Sequence, residues 1–184
     1  MDAPGFPPAA LAAARDAAKA HMRVLGADED TLIATYAASA LALAEAFAGR
    51  ALILREWNAM LSVSPRWQAL AMTGVAAITS VSGLSADGDT FALASDAYAI
   101  DVDADHVGWV RTTAPGAAGR IAVTYQAGLA ADWGTLPAPI AQGVVLLVAH
   151  LFEQRDRGGA PPAAVSALWR PWRRMRLAVA ERAA

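Results

Sequence analysis

The first fifty residues carry apolar positions at helical spacing in two blocks. Residues 9–23 are rich in alanine, follow a pair of prolines and end near Gly26, which predicts a first helix. A second block opens on the carboxylates of residues 28–30, which are favourable at a helix N-terminus, and ends at Gly49. Its apolar side chains recur at helical spacing: Leu32, Ile33, Tyr36, Ala40, Leu43, Ala44 and Phe47. We expect the two helices to pack against each other through small alanines.

The pattern changes after residue 50 to short alternating or β-branched runs separated by Gly, Ser, Asp and Pro. Six runs are candidate strands: residues 51–57, 75–82, 90–94, 97–102, 107–112 and 120–126. The Ala-Asp-Gly-Asp sequence at residues 86–89 is typical of a hairpin turn. Strands this short and this closely spaced predict a small antiparallel sheet or sandwich inserted between helices.

Helical spacing returns after the β-rich region. Pro137 suits the first turn of a third helix over residues 137–154, and a last helical stretch follows a break at residues 158–162 and restarts at Pro171. The predicted fold class is therefore α+β, a core of about four helices with an inserted β region. We expect one domain divided into four segments: N-terminal helices (1–50), the β-rich insertion (51–135), a core helix (136–157) and a C-terminal arm (158–184).

Composition excludes several classes of protein. Of the 184 residues, 56% are hydrophobic and 17% charged, which favours a folded domain with a substantial core. Cysteine is absent, so disulfides, thiolate metal sites and cysteine nucleophiles are excluded. The start of the chain lacks the pattern of a secretory signal, and the longest apolar run, residues 144–152, is too short to cross a bilayer. We expect a protein made in the cytoplasm that has no membrane partner.

Catalytic and metal-binding motifs are missing from the sequence. It contains no phosphate-binding loop, no Gly-x-Ser-x-Gly elbow and no zinc-ligand spacing among its histidines. His21, His106 and His150 lie far apart, and each is best interpreted as a surface, turn or core histidine. The sequence therefore predicts neither an enzyme nor a cofactor or metal site. A small enzyme with an unrecognised site is the alternative.

Three aspartates at alternate positions, Asp101, Asp103 and Asp105, copy the opening of a calcium-binding loop. The rest of such a loop is missing, since its sixth position is His106 and its twelfth is Thr112. Alternation equally places the three carboxylates on one solvated face of a strand, and we favour that interpretation.

Charge is distributed unevenly although the net charge is only −2. Residues 1–154 carry 8 basic and 15 acidic groups, whereas residues 155–184 carry 7 basic and 2 acidic groups. Within the basic region, residues 169–177 combine two tryptophans with four arginines, which are residue types enriched in protein interfaces. This segment could lie on a membrane surface, bind nucleic acid, dock onto another protein, or pack its tryptophans on the chain's own core with the arginines outward.

Five short sequences occur in a characteristic order, the first after a helix that opens on Asp-Glu-Asp. They are AFAGRAL (46–52), VTYQAG (123–128), LPAPIAQ (136–142), LLVAHLFEQR (146–155) and LWRPWRRMRL (168–177). In this order the chain resembles the head–tail connector, or adaptor, proteins of tailed phages and their relatives in prophages and gene transfer agents.

The resemblance, which covers residues 20–177, implies a structural protein of the head–tail interface of a phage-like particle. Such a connector forms a ring, expected here to have twelve subunits, beneath the portal protein. It also binds the next tail component, a stopper or tail terminator, and continues the channel through which DNA passes without specific binding. Family connectors reach the portal with their C-terminal segment. The implied portal-binding residues are Trp169, Arg170, Trp172, Arg173, Arg174 and Arg176.

The uneven charge is consistent with such a ring. Subunits of a ring meet through two different faces, so complementary charges belong on opposite sides of one chain. A channel along which DNA slides is better neutral or acidic, because arginines would hold its phosphates. Residues 68–110 contain no Lys or Arg but six aspartates, and we predict that the region of residues 87–105 does not bind DNA.

Overall fold

A computed structural model describes residues 3–154 and 159–174. Its helices are α1 (Pro8–Met22), α2 (Asp30–Ala48), α3 (Ala138–Glu153) and α4 (Ala163–Trp169), followed by a single 3-10 turn, Arg170–Trp172. Its strands are β1 (Arg55–Ser62), β2 (Gln68–Ala69), β3 (Val75–Leu84), β4 (Thr90–Ala92), β5 (Tyr98–Val102), β6 (Gly108–Thr112) and β7 (Arg120–Ala127). Helices therefore flank a β-rich middle, and the predicted α+β fold class is confirmed.

The chain divides into two compact units. The helical unit comprises Gly5–Leu54 and residues 129–174, and the β unit comprises Arg55–Gly128 with residues 3–4. The β strands thus lie within a single insertion between α2 and α3.

The core of the helical unit is built around α2. Alanines at every fourth position of α1, Ala10, Ala14 and Ala18, are buried against this core together with Ala37 and Ala44 of α2. Small side chains allow the helices to approach closely, as the sequence predicts. Larger apolar side chains complete the core: Ile33, Leu41, Leu52, Ile53, Ile140, Val144, Leu147 and Val148.

Two helix ends follow the sequence signals closely. Gly49 ends α2 in the left-handed conformation, at φ 68°, and its N–H donates to the carbonyl of Glu45. Pro137 precedes the first residue of α3 and Pro139 lies in its first turn, where the missing N–H costs no helical hydrogen bond.

Helix α2 is also long and apolar enough to cross a membrane by length and composition, although no uninterrupted apolar run of that length occurs in it. Buried helices at the centre of a protein meet the same criterion, and Ile33, Ala40 and Leu41 of α2 are fully buried in the helical core.

The β unit contains two antiparallel sheets. Strands β1, β7, β3 and β4 form one sheet in that order, and β2, β6 and β5 form the other. Strand β7 is central because it pairs with both β1 and β3, and it buries Ile121, Val123 and Tyr125 on one face. The predicted hairpin turn joins β3 to β4, closed by a hydrogen bond from the Ser85 N–H to the Asp89 carbonyl.

The first predicted strand, residues 51–57, is only partly correct. Strand β1 begins at Arg55, and its side chains alternate between buried and exposed up to Met60. Residues 51–54 belong to the helical unit, where the N–H of Leu54 donates to the carbonyl of Ala130 and Ile53 forms a parallel bridge with Ala130. Ala51, Leu52 and Ile53 are fully buried, whereas Leu54 is 37% exposed, so most of this apolar run reflects burial in a core rather than one face of a sheet.

Candidate functional site

The Trp/Arg segment is anchored to its own chain by Trp169, the last residue of α4. Only 4% of Trp169 is exposed, and its indole Nε1–H donates to the carbonyl of Ile140 at 3.2 Å. Its ring lies 5.9 Å from that of Phe47, tilted by 55°. These contacts hold the end of α4 against α2 and α3, so Trp169 positions the segment and offers almost no surface to a partner.

Gly143 on α3 makes room for this indole. A Cβ at Gly143 would lie 2.2 Å from Nε1 of Trp169 and 2.8 Å from its Cε2, far inside van der Waals contact. The close approach explains a glycine in the middle of a helix, where this residue is otherwise unfavourable.

The chain after Trp169 runs past the C-terminal end of α2. The N–H of Arg174 donates to the carbonyl of Ala48 at 2.9 Å, and the Arg173 guanidinium lies 5.6 Å from the centre of the Phe47 ring. The carbonyl end of a helix carries partial negative charge, so arginines are favourable there.

The six predicted site residues therefore differ in their positions. Arg170 and Arg173 are exposed, and Arg174 is half-buried. Trp172 is half-buried and packs against the helical core, while Arg176 lies outside the described residues. The structure places Trp169 in the core with exposed arginines beside it, whereas Trp172 keeps part of its surface exposed.

An apolar groove that sequence analysis did not find lies between α2, α3 and α4. It encloses about 220 Å³. Its walls are formed by Leu43, Phe47, Leu147, Pro161, Pro162, Val165, Ser166 and Trp169. Leu43 is 51% exposed although it faces this groove. In the sequence, Leu43 belongs to the apolar stripe of α2. Only the folded structure shows that it is exposed and that residues of α3 and α4 form the other walls of the groove.

The aspartates that resemble a calcium loop have a structural role. Asp103 accepts hydrogen bonds from the backbone N–H groups of Asp105 and Val107, both at 2.9 Å. Its second oxygen accepts from the indole of Trp109, also at 2.9 Å. Asp103 thus fixes the turn between β5 and β6 instead of lying on a solvated strand face. Within residues 3–154 and 159–174, no group of three or more His, Asp or Glu is arranged to hold a metal ion.

Two of the three histidines, His106 and His150, contribute to local structure. His106 occupies the left-handed conformation, at φ 58°, in that same turn. His150 near the end of α3 is half-buried, and its Nε2 lies 3.2 Å from the Gly159 carbonyl, linking α3 to the segment that precedes α4. His21 is exposed near the end of α1.

A charge cluster fixes the loop between α1 and α2. The Lys19 ammonium binds both the Asp30 carboxylate and the carbonyl of Gly26, the latter at 2.8 Å, and Arg15 lies 3.9 Å from Asp30. The hydrogen bond from Lys19 lowers the pKa of Asp30 below its ordinary value, with a further contribution from the charges of Lys19 and Arg15.

Solved structures with similar folds come from gene transfer agent particles. A chain from the neck of an empty particle, computed with C6 symmetry, matches with a TM-score of 0.78 and 24% identity, covering 99% of this chain and 100% of that one. A chain from the virion of a native particle matches at 0.74 and 27% identity, covering 97% and 96%. A chain from the neck of a native particle, computed with C12 symmetry, matches at 0.73 and 25% identity, covering 99% and 100%.

These similarities extend over both units and confirm the resemblance to head–tail connectors that the order of short sequences predicts. No sequence profile of a protein family and no curated protein sequence matches the chain.

Proposed function

We propose that this protein is a structural head–tail connector in the neck of a phage-like particle of the gene transfer agent type. It forms a ring beneath the portal, links the DNA-filled head to the tail and continues the DNA channel. The observation that carries this proposal is the full-length similarity to particle chains, 27% identical in a native virion and 25% identical in a native neck. The symmetry of that neck, C12, supports a ring of twelve subunits.

The portal-binding surface in this proposal is the segment that follows Trp169. Arg170 and Arg173 are exposed beside a tryptophan that is fixed in the core, so their guanidinium groups extend from a rigid base. Arginine pairs with carboxylates through two parallel hydrogen bonds, which suits an acidic partner surface. Trp172, Arg174 and Arg176 complete the proposed surface, and Trp169 supports it from within.

DNA passes through the ring without specific binding in this proposal. Asp87, Asp89 and Asp96 are exposed in the β unit, and an acidic surface does not retain phosphates. The proposal assigns the chain no catalytic step, no cofactor and no membrane partner.

A truncation after Arg174 tests the contribution of Arg176 to the portal surface. It removes Arg176 and Arg182 but retains Val165, Trp169 and every described contact of α4, whereas a truncation that begins at residue 165 would remove core side chains. We expect the shortened chain to fold as the full chain does, by circular dichroism, and to be recovered in purified particles at a lower level than the full chain. Recovery in particles at the full-chain level would refute a portal contact through the removed residues.

Charge reversal tests the described part of the same surface. We expect Arg170→Glu to fold normally and to lower recovery in particles at least tenfold. The matched control reverses an exposed arginine of the β unit, Arg120→Glu, which leaves the proposed surface intact. An equal loss in both variants would show that total charge, rather than this surface, controls assembly.

A further inference from the structure

The loop between α1 and α2 presents an unusual apolar side chain to solvent. Leu25 is 98% exposed, the most exposed of the large apolar residues in the described part of the chain. A leucine in this position gains nothing from the chain's own core, and burying it in a partner would be favourable.

This loop is held in one conformation. Arg23 ends α1 at φ 59°, and the Val24 N–H donates to the Lys19 carbonyl at 3.0 Å. The Lys19 ammonium then binds Gly26 and Asp30 on the far side of Leu25. A protruding side chain on a fixed loop loses little conformational entropy when it docks.

The groove between α2, α3 and α4 has the size and chemistry to receive such a side chain. Its volume is about 220 Å³, and its walls are apolar apart from Ser166, whose hydroxyl already donates to the Ala163 carbonyl at 2.9 Å. A cavity of about 150 Å³ with apolar walls accepts a guest the size of benzene, so a leucine side chain fits.

Leu25 cannot fill the groove of its own chain. Leu25 precedes Asp30, the first residue of α2. Leu43 in the groove lies 13 residues after Asp30, which is about 20 Å along the helix at 1.5 Å per residue. A protrusion at one end of a helix and a receiving groove at the other make two different faces, which is the arrangement that builds rings.

Charge also favours a second copy as the occupant. Asp28 is exposed three residues after Leu25, and the exposed guanidinium of Arg173 lies over Phe47 at the edge of the groove. An incoming loop from another copy would bring its acidic residue towards this arginine.

We propose that Leu25 of one subunit inserts into the groove lined by Leu43, Phe47 and Val165 of the next subunit, and that this contact, repeated head to tail, closes the ring. The inference rests on the proposed connector function and names the surface through which the connector assembles. One leucine buries too little area for a stable dimer, so the contact acts as one of many in a closed ring.

Disulfide trapping tests this contact, since a chain without native cysteine gives no background. Leu25→Cys and Ser166→Cys are introduced in one chain, and particles are purified and oxidised. A disulfide requires Cα atoms within about 7 Å, so the two sites cannot join within one subunit. We expect a ladder of dimers, trimers and higher oligomers on a non-reducing gel.

The matched control is Leu25→Cys with Ala164→Cys, an exposed position on α4 about 200° around the helix axis from Ser166. We expect only monomer from this control. A ladder of equal strength in the control, a ladder that stops at dimers, or monomer alone from the Ser166 pair would overturn the proposal. Wild-type chain that is absent from particles would instead refute the connector function itself.

A second variant tests the contact between Leu25 and the groove without crosslinking. Leu25→Arg leaves the fold intact because the side chain is exposed, and we expect at least a tenfold loss of the chain from particles. Met60→Arg, a change at another exposed apolar residue, is the control and should be recovered normally. Recovery of Leu25→Arg at the wild-type level would overturn the proposal. So would loss from particles by Leu43→Asp, at the exposed wall of the groove, when Leu25→Arg is recovered normally, because that result would assign the groove to a different neck protein.

Discussion

The packing of Trp169 against Gly143 predicts that Gly143→Ala changes the free energy of unfolding in opposite directions, depending on the side chain at position 169. Alanine in place of a helix-interior glycine ordinarily stabilises a helix by about 1 kcal/mol. Here the added methyl would lie 2.2 Å from Nε1 of Trp169, so the indole must move. Overpacking of this kind costs about 1 to 3 kcal/mol, and the hydrogen bond to Ile140, worth about 1 kcal/mol, is lost as well.

We therefore expect Gly143→Ala to lower the free energy of unfolding by about 1 to 3 kcal/mol, because the steric cost and the lost hydrogen bond exceed the gain in helix propensity. In a Trp169→Leu background the indole nitrogen is gone, and the same change should raise the free energy of unfolding by up to about 1 kcal/mol. The coupling between the two positions is thus expected to reverse the sign of the effect.

Urea unfolding followed by circular dichroism at 222 nm measures both effects, since six tryptophans would complicate fluorescence. Gln142→Ala is the control, because Gln142 is the exposed neighbour of Gly143 and should change the free energy of unfolding by less than about 0.5 kcal/mol. A stabilising effect of Gly143→Ala in the wild-type background would refute the claim that Trp169 packs on this glycine.

Three further predictions concern the loops and helix ends. Gly49→Ala should lower the free energy of unfolding by about 1 to 2 kcal/mol, because φ there is 68° and the new Cβ would lie 3.0 Å from the Arg174 carbonyl oxygen; Gly5→Ala, with nothing within 4 Å, is the control. Asp103→Ala should lower the thermal midpoint by removing three hydrogen bonds, and calcium should not change the midpoint of the wild-type chain; stabilisation by calcium would contradict the structural role. Asp30, whose pKa is lowered in the folded state, should stabilise the wild-type chain relative to Asp30→Asn at neutral pH. This advantage should disappear as the pH falls below 3.8, the ordinary pKa of the carboxyl group, and an unchanged advantage at pH 2 would refute the lowered pKa of Asp30.

Helices α1, α2 and α3 were predictable from the sequence because their signals are local. The spacing of apolar residues identifies the buried face, while Gly49 and Pro137 mark the ends within a residue or two. The hairpin at residues 86–89 was predictable for the same reason, since its turn chemistry is contained in four residues.

Other features depend on contacts between distant segments and carry no local signal. Burial of Trp169 depends on a glycine 26 residues earlier, and the groove requires walls from three helices. Asp103 resembled a metal ligand because its spacing alone does not reveal that Trp109 and two backbone N–H groups occupy its oxygens. The two-residue strand β2 is too short to give any alternating pattern.

The most direct test of the central claim is a cryo-EM reconstruction of the neck of particles purified from cells that encode this chain. We expect a closed ring of the chain directly beneath the portal, with the segment that follows Trp169 against the portal and the α1–α2 loop of each subunit at the groove of the next. Particles whose neck contains no copy of the chain, with the chain left in the soluble fraction, would contradict the connector function.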